Sequence, residues 1–171
     1  MPTVKPTTTL EVLLGACILG ESDLPCVLGG TWTDVTADTR VGVQPIEVSY
    51  GIDGTGPNDR IASTGSCQWS LNNNGASNST GNTGAYSTGH ANARDGWDIG
   101  VRCRLKLAYG GTDYYKFFGT VNSIVPSAGQ YKDKAVACTA VDWMDEAATS
   151  KIKAIPIATD QRADQLVTTL V

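Results

Sequence analysis

Histidine is almost missing from this chain: His90 is the only one among 171 residues. Hydrolases that attack through serine or cysteine need a base that titrates near neutrality, most often histidine. The only grouping on offer is Ser87, His90 and Asp95. It lies in a stretch with no nucleophile elbow and no rigid element to fix a geometry, so no catalytic residue is assigned and the chain does not read as an enzyme. Paired cysteines are missing too. Cys17, Cys26, Cys67, Cys103 and Cys138 are odd in number, form no CxxC and have no histidine cluster beside them, which argues against a zinc site and leaves no metal ligands to name. They read as reduced, mostly buried small apolar residues of a protein made in a reducing cytosol.

Charge is scarce as well. Charged residues make up 18% of the chain and the formal net charge is -4, so no overall basic field exists to draw in nucleic acid. The acidic residues are scattered singly, giving neither the carboxylate pair of a glycosidase nor an oxygen-ligand calcium loop. No run approaches the roughly 18 apolar residues that cross a bilayer. Leu14-Gly15-Ala16-Cys17 has the look of a lipoprotein cleavage box, but Glu11 interrupts an apolar region already too short, and a buried first strand from Leu10 to Leu19 is expected instead. Gly51-Ile52-Asp53-Gly54-Thr55-Gly56 fits neither the dinucleotide nor the P-loop pattern and reads as a turn; no cofactor is implied.

Short β-prone runs divided by turn residues are what the chain does have. They cover Leu10 to Leu19, Thr31 to Thr36, Ile46 to Tyr50, Ser66 to Leu71, Ile99 to Ala108, Asp113 to Val125 and Lys134 to Val141. Seven such runs predict a mainly β domain, a barrel or a sandwich, over residues 10–141. Residues 1–9, rich in Pro and Thr, read as an extended arm able to reach a neighbouring subunit. Alternation is sharpest from Val101 to Leu107, where four apolar residues share one face and Arg102, Arg104 and Lys106 share the other. That basic face is a candidate subunit interface. Cys67, Trp69 and Leu71 likewise fall together, opposite Gln68 and Ser70, and Tyr109-Gly110-Gly111-Thr112 predicts a hairpin turn with positive φ.

Residues 72–100 form a long stretch of Asn, Gly, Ser and Thr, far beyond an ordinary connection and expected to be functional or mobile. It contains Tyr86 and Trp97, which together with Trp32 are aromatics that could stack on a sugar ring if exposed. After Val141 the pattern turns helical. Asp142 is placed to cap a helix from Trp143 to Lys151, with Asp145 and Glu146 near its positive end. A second helix is predicted beyond Thr159 or Asp160, from the spacing of Ala163, Leu166, Val167 and Leu170. The apolar stripe reaching Val171 without a cap suggests that the helical extension, 142–171, continues into a further C-terminal region.

Several segments, in order, resemble minor tail proteins of long-tailed bacteriophages. These are Trp32-Thr33-Asp34-Val35-Thr36 and Gly51-Ile52-Asp53, then Gly65 to Asn73, Gly96 to Arg102, Tyr114 to Val121, and Val136 to Trp143. The resemblance spans about residues 10–150 and rests on the order of the segments. It implies a β-barrel-like module similar to those of tail-tube and baseplate-hub subunits, a structural subunit of the tail tip in the virion, synthesised in the bacterial host cytoplasm. Implied partners are further copies of the chain, as a trimer or a hexamer ring, and the distal tail, tube and tape-measure proteins. The family brings no catalytic residues. The rival reading is a carbohydrate- or receptor-binding β module using Trp97 and Tyr86.

Overall fold

The computed structural model describes residues 5–15, 30–42, 44–52, 62–127 and 134–149. Within them the chain forms seven strands: β1 (Thr7–Leu14), β2 (Thr31–Asp34), β3 (Glu47–Ile52), β4 (Ala62–Asn72), β5 (Arg102–Tyr109), β6 (Thr112–Pro126) and β7 (Ala135–Val141). One helix, α1 (Trp143–Thr149), follows β7 directly. The strands make a single antiparallel sheet in the order β2-β1-β5-β6-β7-β4-β3.

All seven predicted runs are strands, with ends shifted by a few residues. The first differs most: it begins at Thr7 rather than Leu10 and runs to Leu14, with residues 16–19 of the expected run outside the described residues, so Thr7, Thr8 and Thr9, expected in the arm, instead pair with Ala108, Leu107 and Lys106. The threonines suit a strand as well as an arm, and β5 supplies the hydrogen-bonding edge that decides between them. The closed architecture is a correction. The sheet is not closed into a barrel and does not split into two stacked layers; among the described residues β2 pairs only with β1, and β3 only with β4.

The chain leaving β2 partly bridges that opening. Val35 N donates to Leu10 O at 2.9 Å, a short 3-10 turn covers Thr36–Asp38, Thr39 makes an isolated bridge to Leu71, and Arg40 N donates to Ser70 O at 2.8 Å. Ser70, expected outside with Gln68, is buried at 5% exposure, and its carbonyl accepts the bond from Arg40 N in this crossing.

The core lies on one face of the sheet. Leu10 and Val12 oppose Leu105 and Cys103, which in turn oppose Phe117 and Gly119. A Cβ on Gly119 would run into the carbonyl oxygen of Val141 and come within 2.7 Å of the Phe117 ring, so only glycine fits between these elements. Cys67, Trp69 and Leu71 are fully buried, as alternation predicts, and Trp69 lies opposite Cys138. Gly110 and Gly111 have φ of 60° and 82°, the double positive turn expected between β5 and β6. Asp142 Oδ1 accepts Met144 N at 3.0 Å at the start of α1. The second helix and the C-terminal continuation lie outside the described residues, as do Cys17 and Cys26.

Candidate functional site

Alternation sends Glu11 of β1 and Arg104 of β5 to the outer face, directly opposite each other. Arg104 Nε donates to Glu11 Oε2 at 2.5 Å, and Lys106 Nζ lies 3.1 Å from Glu11 Oε1 and 3.4 Å from Asp113 Oδ2. The hydrogen bond to Glu11 holds the Lys106 ammonium above its usual pKa, with burial opposing it and Asp113 adding to it. Aromatic rings complete the cluster. The Arg104 guanidinium sits 4.1 Å from the Trp32 ring centre and 5.3 Å from that of Tyr115, and the Trp32 and Phe118 rings are 6.0 Å apart. A guanidinium stacked on aromatic faces keeps its charge while covering apolar surface.

The β5–β6 register shifts between Leu105 and Lys106, leaving Lys116 as the extra residue of a bulge. From Thr112 to Lys116 every residue of β6 is exposed. Among the described residues no element packs over that end of the hairpin, and Tyr109, Tyr114 and Tyr115 stand on it about half exposed. Half-exposed Phe118 continues the aromatic surface onto the outer face.

The predicted interface residues therefore share one outer surface, but they are not equivalent. Arg102 is exposed, whereas Arg104 and Lys106 are engaged with Glu11. Glu11 and Phe118 were not singled out by sequence reasoning, and Trp32 only as a ring able to stack on a ligand. The signal for Glu11 was a lone charge at an outward position of an apolar strand.

The stretch 72–100 is built differently from its composition. Asp38, 1% exposed, accepts Ser79 N at 2.6 Å and Ser79 Oγ at 2.7 Å, and also accepts the Tyr86 hydroxyl. Arg94 Nη1 donates to the same hydroxyl at 2.7 Å and lies 3.9 Å from Asp38 Oδ2. Burial, reinforced by the Asp38 hydrogen bond, raises the Tyr86 phenol above its ordinary pKa, with Arg94 opposing. Asn73 works as a second anchor: its Oδ1 accepts Tyr86 N at 2.9 Å and its Nδ2 donates to Ser87 Oγ at 2.7 Å. Trp97 Nε1 donates to Tyr86 O at 2.9 Å, and the two rings meet edge to face at 5.3 Å.

Tyr86 and Trp97 are thus core residues at 0% and 3% exposure, and neither offers a ring face to a sugar in this conformation. The stacking platform expected of them is corrected on that ground. Ser87 Oγ is engaged by Asn73, and His90 Nδ1 accepts Asn92 N at 3.1 Å. No family model matches this chain, and no curated protein or solved structure matches it. Among the described residues no group of His, Cys, Asp or Glu is arranged to hold a metal ion, and no helix is long and apolar enough to cross a membrane.

Proposed function

We propose that the chain is a structural subunit of a bacteriophage tail tip, held in a hub or ring by contacts with further copies and with neighbouring tail proteins. The observation that carries the assembly reading is the uncovered end of the β5–β6 hairpin. Its tyrosines and the adjoining Phe118, Trp32 and Arg104 form the mixture of aromatic rings and guanidinium enriched at protein interfaces. The tail assignment itself comes from the ordered segments of the sequence that resemble minor tail proteins.

In this reading the sheet provides a stiff frame, and the hairpin end and the outer aromatic face make the contacts. Many identical weak contacts repeated around an axis add up to a stable assembly. The test is gold labelling of intact particles with an antibody against the recombinant chain, viewed by electron microscopy. Label confined to the distal end of the tail is expected. Unlabelled particles, together with absence of the protein from disrupted particles by mass spectrometry, would overturn the proposal.

A further inference from the structure

Charge is not spread evenly across the sheet. β5 and β6 carry Arg102, Arg104, Lys106 and Lys116, and the acids among these strands and β1 are Glu11 and Asp113, both engaged with Lys106. β7, the next strand, has no charged residue. Beyond it the sign reverses. β3, β4 and the start of the helix carry Glu47, Asp142, Asp145 and Glu146 and not one lysine or arginine.

Both regions also leave large rings on the surface. On the basic side these are the hairpin tyrosines and Phe118. On the acidic side Tyr50 is 66% exposed and Trp143 69% exposed. Gly65 brings the acidic pieces together, since a Cβ there would lie 2.5 Å from Asp142 Oδ2 and 3.5 Å from Tyr50 Cβ. The β3 edge and the start of α1 therefore meet at one place. The helix buries none of its residues, so α1 contributes surface rather than core.

We propose that the acidic, aromatic surface formed by β3 and α1 docks on the basic, aromatic surface of β5 and β6 in a second copy of this chain, giving head-to-tail self-association. The proposal deepens the assembly reading by naming the contact between copies. Charge complementarity selects the occupant: each surface finds its counterpart on the same chain, with rings on both sides to bury and opposite charges around them. Because the two surfaces differ, the contact is heterologous, and its repetition gives a closed ring when the rotation closes and an open filament when it does not. A self-complementary patch meeting its own image would give dimers only.

The experiment is sedimentation velocity of the full chain over a concentration series, with circular dichroism to verify folding of each variant. Wild type is expected to associate, and to do so more weakly as salt rises. Arg102→Glu with Lys116→Glu makes both surfaces acidic, and Glu47→Lys with Asp145→Lys and Glu146→Lys makes both basic. Each variant alone is expected to lose self-association by at least about tenfold, because like charges then face each other. A mixture of the two is expected to associate again, since every contact in an alternating chain pairs acid with base.

A wild type that remains monomeric at all concentrations overturns the contact, as does association that ignores both charge reversals. If a variant does not fold, salt dependence of the wild type decides: association that does not weaken with salt also overturns it. Gold at the tail tip with a monomeric wild type would leave the tail reading standing without this contact. Self-association with unlabelled particles would do the reverse.

Discussion

Tyr86 holds its hydroxyl between a carboxylate and a guanidinium, and that position sets what its removal should do. Tyr86→Phe keeps the ring against Trp97 but leaves Asp38 with one partner fewer at 1% exposure. The expected loss is about 1–3 kcal/mol, the cost of a buried polar group left short of a partner, measured by urea unfolding. Trp97→Ala should cost more, about 3–5 kcal/mol, because it opens a cavity and also strands the Tyr86 carbonyl. A second residue-level consequence concerns the thiols. Burial pushes Cys67 and Cys138 up to about 12, and burial with the neighbouring thiols moves Cys103 the same way. In the unfolded chain a thiol titrates near ~8.5, so the unfolded state releases its protons first and holds fewer above that pH. The stability these groups contribute is complete below ~8.5 and declines as pH rises toward the folded values. Thermal melts across that window should show a falling Tm. Alkylation mapped by mass spectrometry should leave Cys67, Cys103 and Cys138 unmodified in the native protein and modify all three in denaturant.

Elements depend on a few backbone positions. Replacing Gly110 and Gly111 by alanine forces two L side chains into positive φ, which should cost about 1–2 kcal/mol per position and loosen the β5–β6 turn. Because β5 and β6 continue into the core, the loss should appear in global unfolding and in faster hydrogen exchange at the hairpin end. Gly119→Ala acts elsewhere, pressing the Phe117 ring and the Val141 carbonyl apart, with an expected cost of about 1–3 kcal/mol by denaturant unfolding. Strands were the legible part of this molecule: alternation over Val101 to Leu107 and Cys67 to Leu71 gave both the elements and their buried faces. The bulge at Lys116 was not legible, since nothing local marks a register shift that only the partner strand defines. The turns from residue 73 to 100 were hidden for another reason. Asn, Ser, Gly and Thr look alike whether they fill a mobile loop or act as anchors, and Asp38, which ties Ser79, Tyr86 and Arg94 together, lies some 40 residues upstream.

At the scale of the whole molecule, the proposed contact between copies draws on the outer face of the open sheet. The outer cluster around Arg104 was foreseen as a basic strand face, but its aromatic cover was not, because Trp32 and Phe118 meet only once β2, β1, β5 and β6 lie side by side. Phe118→Ser should leave the fold intact and weaken association between copies, readable as a shift in the sedimentation series with an unchanged circular dichroism spectrum. Strand order has a further consequence in time. Glu11 and Arg104 are 93 positions apart, and β1 lies between β2 and β5 in the finished sheet. At a synthesis rate of about 5–20 residues per second, the ribosome needs roughly 5–20 s after making β1 before β5 exists to cover it. Throughout that interval Leu10 and Val12 have no strand on their β5 side, so the nascent chain depends on whatever shields its first strand until the middle of the sheet arrives.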